Sequence, residues 1–366
     1  MNWRDALSYG WRIVHKNGPP IHLIFFITSR CNLRCGHCFY WKALDADHSH
    51  ELTLEEIERA ARSLPRLLLL SLTGGEPFVR KDVGEIVEIF ARHCRTHITT
   101  LSTNGAYPER MEATIPRLLE RHPGKLYVYL SLDGPEEIHD ALRGAGSHRA
   151  AMNALRLMQP WRKRFPHFGV SLSMTCNALN EAHLEDYFRE VTALGLADNV
   201  NIGFVRGDPK NPLTREVGLE SYRRLTRMRW ERLGGEGMRY FRFLLGGVVA
   251  SKDYYACRIV EEVIEKNHFV LPCTAGSLLG VLYDDGRVSP CEILEQADLG
   301  NLRQWNGDLA RLWQGEVART WRRKIVEEKC FCTFECAMTD NILFNPKYLA
   351  KCAGRAAAKS LSRSGS

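Results

Sequence analysis

Residues 21–38 read Ile-His-Leu-Ile-Phe-Phe-Ile-Thr-Ser-Arg-Cys-Asn-Leu-Arg-Cys-Gly-His-Cys, a β-branched and aromatic run that meets three cysteines. Ile21 to Thr28 has the composition of a strand, and the cysteines fall on the loop that leaves it. Five more runs of this kind follow, at Leu67 to Leu72, His97 to Leu101, Leu126 to Leu132, Phe168 to Met174 and Asn199 to Val205. Helical patterns separate them: Leu54 to Leu64, Val83 to His93, Glu109 to Arg121, His148 to Trp161 and Ala182 to Leu194. Thr53 and Glu56 form a capping box ahead of the first. Regular alternation of strand and helix argues for parallel βα units, and six of them suit an open partial (β/α)6 barrel better than a closed eightfold one.

Parallel α/β folds place their chemistry where strands end. Strand one runs into Cys31, strand two into Gly74-Gly75-Glu76-Pro77, and strand three into Ser102-Thr103-Asn104-Gly105. Strand four ends Ser131-Leu132-Asp133-Gly134, and strand five meets Thr175-Cys176-Asn177. The unusual residues therefore collect on one rim.

The chain has 366 residues, 45% apolar and 25% charged, with a net charge of +7. That charge is modest for the length and excludes a nucleic-acid footprint. Apolar stretches such as Leu67 to Leu70 and Leu23 to Ile27 fall far short of a bilayer span, so no membrane span is expected. Met1 to Pro20 lacks the apolar core and cleavage site of a signal peptide, which points to the cytoplasm. In that reducing compartment the 12 cysteines read as metal-binding or catalytic rather than as disulfides.

Cys31, Cys35 and Cys38 offer three thiolates, where an iron–sulfur cubane ordinarily takes four. A three-thiolate loop leaves one iron open to a ligand. The alternative is a zinc knuckle completed by His37, His48 or His50. Together, Cys31-x3-Cys35-x2-Cys38 followed by Phe39-Tyr40, and Gly74-Gly75-Glu76-Pro77, resemble the radical S-adenosylmethionine (SAM) superfamily. The resemblance implies a partial (β/α)6 barrel and a [4Fe–4S] cluster whose open iron chelates SAM. It further implies reductive cleavage to a 5′-deoxyadenosyl radical that abstracts hydrogen from substrate. It assigns cofactor-binding roles to Gly74, Gly75 and Glu76 (methionine ammonium), Ser131 and Asp133 (ribose), Asn104, and Arg143 (SAM carboxylate), with Tyr40 beside the cluster as a shielding aromatic. Ordinary turn and capping chemistry is the competing reading for Asn104 and Asp133.

A second set of cysteines lies toward the C-terminus. Cys273 and Cys291 flank an expected hairpin, Gly280 to Tyr283 and Arg287 to Ser289 around Asp284-Asp285-Gly286, and Cys330, Cys332 and Cys336 follow. Cys273-x12-Gly286-x4-Cys291 resembles the opening of SPASM and twitch extensions of radical SAM enzymes. The later Cys-x-Cys-x3-Cys departs from the full two-cluster SPASM pattern. The resemblance thus implies at least one auxiliary [4Fe–4S] cluster held by Cys273, Cys291 and two of Cys330, Cys332 and Cys336, with a structural zinc as the alternative. Glu292 is the candidate catalytic base beside it, against a reading as an exposed hairpin residue. Cys94 reads as core; Cys176 reads as cavity-facing or core; Cys257 and Cys352 read as buried thiols or members of a second, incomplete cluster.

The expected division is an N-terminal helix (1–20), a radical SAM core (21–206), a helical linker (207–256), a smaller cysteine-rich α+β domain (257–352) and a flexible tail (353–366). Trp3, Leu7, Trp11 and Val14 form a helical stripe expected to pack over the barrel. So short an N-terminal segment leaves no room for a fused leader-binding domain, which places any such function on a separate protein. The resemblance implies a peptide or protein substrate, oxidised or crosslinked, and an electron donor of flavodoxin or ferredoxin type. A small metabolite, dehydrogenated or epimerised, is the alternative substrate, and an iron–sulfur electron carrier or a zinc-stabilised binding module is the alternative class. Gly74-Gly75-Glu76 and the repeated rim motifs argue against a carrier, which needs no cofactor pocket.

Overall fold

The computed structural model describes residues 3–16, 18–45, 47–122, 124–233, 246–294 and 296–364. Helix α1 (Trp3–His15) leads into the six expected strands: β1 (His22–Thr28), β2 (Leu69–Gly74), β3 (Ile98–Thr103), β4 (Lys125–Ser131), β5 (Phe168–Cys176) and β6 (Asn199–Phe204). Each pairs in parallel with the next, in registers such as His22 opposite Leu69 and Ile98 opposite Lys125. Between them run α2 (Leu54–Ser63), α3 (Val83–Cys94), α4 (Pro108–Arg121), α5 (Glu136–Arg143), α6 (Ser147–Leu157), α7 (Gln159–Arg164) and α8 (Leu184–Ala193). The Thr53–Glu56 capping box forms as expected. The single helix expected over 148–161 breaks at Met158, because Pro160 has no N–H to continue the ladder and instead sits in the first turn of a new helix.

Alternation along the strands sorts the two faces. Leu23, Phe25 and Ile27 of β1, Leu70 and Leu72 of β2, and Val128 and Leu130 of β4 are buried in the main core against the helices. The opposite, concave face is largely polar. On the β1 side an apolar patch of Ile24, Phe26, Val281 and Tyr283 closes it.

After β6 come α9 (Leu219–Leu233) and α10 (Gly246–Lys266), the latter running through the boundary expected at 256; residues 234–245 of the expected linker lie outside the described residues. The hairpin forms where expected, as β7 (Leu279–Leu282) and β8 (Arg287–Ser289). It does not stand apart from the barrel. β7 pairs in parallel with the free edge of β1, His22 opposite Leu279, and β9 (Gly300–Asn301) completes a nine-stranded sheet in the order β6-β5-β4-β3-β2-β1-β7-β8-β9. An unpaired β1 edge would expose hydrogen-bonding groups, and β7 satisfies them. Helices α11 (Leu309–Trp313), α12 (Glu316–Glu327), α13 (Glu335–Leu343) and α14 (Pro346–Ser364) follow. The expected flexible tail thus differs: its alanines, good helix formers, extend α14 to Ser364.

Helix α1 also differs in phase. It packs through buried Tyr9 and Arg12, the latter donating to the carbonyls of Arg66, Pro19 and Pro20 at 2.7, 2.7 and 2.5 Å, while Trp11 and Val14 are 64% and 75% exposed. A single buried arginine that satisfies three carbonyls fixes the helix rotation more strongly than its apolar stripe does. The side chains of Trp3 and Leu7 lie outside the described residues. Among the described residues no helix is long and apolar enough to cross a membrane.

The closest backbone approach at the rim is between the turn after β2 and the loop after β1. The N–H of Gly75 donates to Thr28 O and that of Glu76 to Arg30 O, both at 2.9 Å. A Cβ on Gly74 would overlap Thr28 O, and one on Gly75 would overlap Arg30 O. Gly74 also has φ +136°, a conformation side chains disfavour. Gly75→Ala is therefore expected to cost about 3 kcal/mol of folding stability, read from the urea midpoint, with a matching loss of iron on reconstitution.

Candidate active site

The loop carrying Cys31, Cys35 and Cys38 is tied down on both flanks. Gly36 N donates to Leu142 O at the end of α5 (2.8 Å), Asn211 N to Gly36 O (2.7 Å) and Lys210 N to Cys38 O (3.1 Å). Burial pushes the Cys31 thiol up to about 12 and Cys38 to about 11 and raises Cys35; Cys35 raises both of the others further and Cys38 raises Cys31, while Arg143 opposes the rise at Cys35. In an apolar pocket the thiols hold their protons, so a cation that binds here must displace them.

Glu76 is 1% exposed and accepts from Phe78 N (3.0 Å), Thr103 Oγ1 (2.8 Å) and Asn104 N (2.7 Å). Burial raises its carboxyl above the usual range against these bonds. Asn104 in turn donates from Nδ2 to Asn32 Oδ1 at 2.9 Å, within the thiol loop. Both residues join the exits of β2 and β3 to the cysteine loop.

Asp133 and Arg143, assigned separately to ribose and carboxylate, bind each other. Arg143 Nε donates to Asp133 Oδ2 at 2.6 Å, and Thr175 N to Oδ1 at 2.7 Å. Asp133 is fully buried, which alone would raise its carboxyl; Arg143, His37 and His139 outweigh that and hold it below its ordinary value. Arg143 Nη1 also lies 3.9 Å from Cys35 Sγ. His37 Nε2 lies 3.4 Å from Asp133, and burial lowers the ring to about 4, so it is neutral. Its Nδ1 is buried with no partner. Ser131 is half-buried on the concave face. Tyr40 packs as a wall, its ring 4.6 Å from Phe26 and stacked on Tyr283 at 6.3 Å.

The second thiol set packs as one group: Cys273, Cys330, Cys332 and Cys336 all lie against the apolar cluster that contains Cys291. Burial raises Cys273, Cys291, Cys330 and Cys332, and the leading charge effects connect them: Cys332 and Cys273 act on Cys291, Cys273 on Cys330, and Cys273 and Cys330 on Cys332. Cys336, also raised by burial, answers chiefly to Glu292, Arg206, Glu335 and Asp340. Cys94, Cys176, Cys257 and Cys352 are buried, Cys94 and Cys176 in the main core and Cys352 in an apolar cluster with α10 and α13. Cys176 therefore faces the helices, not the cavity.

Arg206, just past β6, was missed in the sequence. It bonds Glu292 Oε1 (3.3 Å) and Glu335 Oε2 (3.2 Å), and its guanidinium sits 5.0 Å from the ring centroids of both Phe39, next to Cys38, and Phe334. Glu335 Oε1 also accepts from Phe204 N at 2.9 Å. Glu292 is 8% exposed, not a surface residue; burial raises its carboxyl and Arg206 opposes the rise. A cleft of about 480 Å³ opens here, lined by Arg206, Arg215, Val263, Phe331, Cys332 and Phe334. The rule that chemistry sits at strand ends, carried one strand further, reaches Arg206.

The donor chemistry fits iron–sulfur ligation at both places: free thiols gathered on rim loops, and at the first an orphaned imidazole nitrogen beside them. These features define an iron–sulfur, SAM-binding α/β barrel. Residues 25–191 match the family model described as Radical SAM superfamily. The chain is 36% identical over 171 residues to Fe-coproporphyrin III synthase of Methanosarcina barkeri, covering 42% of this chain and 40% of that protein. It is 30% identical over 143 residues to the antilisterial bacteriocin subtilosin biosynthesis protein AlbA of Bacillus subtilis, covering 38% and 30%. It thus spans less than half the length of these curated relatives. In fold it is similar to Streptococcus suis SuiB bound to S-adenosylmethionine, with a TM-score of 0.59 at 16% identity over 87% of this chain and 72% of that one. That superfamily binds a [4Fe–4S] cluster and SAM, and the C-terminal region of this chain carries the second set of free cysteines.

Arg143→Met would leave the Asp133 charge buried without its main partner, and is expected to cost about 3–5 kcal/mol. Urea unfolding measures this, and Arg143→Met combined with Asp133→Asn should recover a large part of the loss.

Proposed function

We propose that this chain reductively cleaves SAM and uses the resulting radical to abstract hydrogen from a peptide or protein that is then oxidised or crosslinked. One observation carries the reading: the second thiol set does not lie on a remote lobe but borders the barrel mouth, joined to the first loop through Arg206 between Phe39 and Phe334. When bound, the cluster and SAM supply the 5′-deoxyadenosyl radical. This chain's residues bind and aim. Cys31, Cys35 and Cys38 hold the first cluster, and Cys273, Cys291, Cys330 and Cys332 hold the auxiliary one. Gly74 and Gly75 present backbone to the methionine end, while Glu76 and Asn104 fix the turn that does so. Tyr40, with Phe26 and Tyr283, excludes water on the β1 side. Glu292, whose carboxyl burial raises, would accept the proton that an oxidised substrate releases, and the auxiliary cluster that the second thiol set would hold would take the accompanying electron.

The relative named for bacteriocin biosynthesis supports a peptide, and the cleft beside Cys332 gives an extended chain a way in. The relative named Fe-coproporphyrin III synthase favours a second reading, a small metabolite. The electron donor is of flavodoxin or ferredoxin type.

Anaerobically purified protein should be brown, with about eight irons per chain for two cubanes; a colourless, zinc-loaded protein would overturn the assignment. Cys35→Ala should lose about half the iron and all 5′-deoxyadenosine formation, measured by chromatography after dithionite reduction. Cys332→Ser should lose the other half, whereas Cys336→Ser should keep the full iron content.

A further inference from the structure

The tip of the β7–β8 hairpin meets the barrel at a group of side chains that neither thiol set uses. His48 and Glu51 stand in the stretch between the thiol loop and α2, and Asp284 opens the hairpin turn. One ring nitrogen of His48 and one carboxylate oxygen from each of Glu51 and Asp284 all lie within 4.8 Å of one another. The backbone fixes this meeting. Leu52 N donates to Asp284 O at 2.6 Å and Leu302 N to Gly286 O at 2.8 Å. Gly286, at φ +87°, leaves no space for a Cβ, which would come 2.9 Å from Asn301 Oδ1.

The charges at this seam do not balance. Glu51 is paired: Arg30 donates to its two oxygens at 2.9 and 2.8 Å, and Thr28 Oγ1 donates to it as well. Asp284 is 6% exposed and has no ion-pair partner among the described residues. It accepts only from Ser29, whose N and Oγ both donate to Oδ2 at 2.7 Å, and that same Oγ lies 2.9 Å from His48 Nδ1. Burial raises the Asp284 carboxyl, and Asp285 and Glu51 raise it further. Asp133, Asp340 and Glu292, also buried, each have an arginine or histidine partner. A buried carboxylate that faces a second one without a cation beside it is costly, and a positive charge entering here would remove the cost. The ligands can accept it: Asp284 Oδ1 takes no hydrogen bond, Glu51 Oε2 takes one, and a neutral imidazole brings a lone pair.

We infer that His48, Glu51 and Asp284 form a site for a divalent cation of the class that takes mixed imidazole and carboxylate ligands, and that the bound ion clamps the hairpin tip onto the barrel. Three ligands from two distant segments leave the remaining coordination positions to water. The donors are nitrogen and oxygen, so the site and the two thiol sets select different ions: imidazole and carboxylate suit Mn2+, whereas thiolates prefer softer metals. The inference stands independently of the reaction proposed above.

The test uses MnCl2 added to the cluster-reconstituted protein under anaerobic conditions, with free Mn2+ read from its electron paramagnetic resonance signal. About one ion per chain should bind tightly, and spin-echo modulation from a single imidazole nitrogen should accompany binding, a readout that needs no variant. Asp284→Asn and His48→Gln should each weaken the site at least about tenfold, with circular dichroism reporting their fold. His50→Gln, on the same turn with its side chain 71% exposed, should leave the affinity unchanged. An ion that binds only the folded chain should also raise the unfolding temperature of the wild type, and not that of the two ligand variants. Absence of tight uptake, binding without nitrogen modulation, an affinity equal in wild type, Asp284→Asn and His48→Gln, or an equal loss in His50→Gln overturns the site. Uptake with all these signatures but no rise in unfolding temperature overturns the clamp.

Discussion

Two backbone hydrogen bonds, Gly75 to Thr28 and Glu76 to Arg30, hold the turn after β2 against the loop after β1 at a distance that excludes a side chain. The rest of the rim is built on this contact. With the turn fixed, the Glu76 carboxylate reaches the exit of β3, and Asn104 reaches back to Asn32. The cysteine loop is thus clamped from one side by β2 and β3 and from the other by α5 and the segment after β6. The two glycines serve the thiol loop as much as any ligand, because the atoms a Cβ would strike belong to the chain itself.

Arg206 provides the second organising element. One guanidinium, flanked by two aromatic rings and two carboxylates, touches the residue after Cys38, the residue after Cys291 and the start of α13. Planar, permanently charged and donating in several directions, arginine suits a junction of this kind better than lysine. Barrel and cysteine-rich region consequently meet at one mouth rather than across a linker.

The strands were legible because most have an apolar outward row, such as Leu23, Phe25 and Ile27 of β1, and the rim because parallel sheets put functional residues at strand ends. What lay beyond reach depends on contacts distant in sequence. The hairpin at 279–289 was visible in its turn residues, but nothing local shows that β7 pairs with β1, a choice made by the bare edge of a strand more than 250 residues earlier. The pairing of Asp133 with Arg143 was hidden because each residue alone suits a ligand. How the second set of cysteines packs together could not be read from spacing, since the chain between Cys291 and Cys330 folds back through several helices. The phase of α1 was set by one buried arginine, whose partners, the carbonyls of residues 19, 20 and 66, carry no sequence signal.

The seat of β7 beside β1 has a temporal consequence. During synthesis, β1 has its β2 partner early, but its other edge stays bare until residue 282 has emerged, and His22 waits for Asp340 still longer. The wall of Phe26, Tyr40 and Tyr283 is incomplete throughout that interval. Native contacts so widely separated form slowly. The nascent chain therefore passes through a stage in which its amino-terminal thiols are translated but unsheltered, and that wall closes only when the β7 hairpin has seated beside β1.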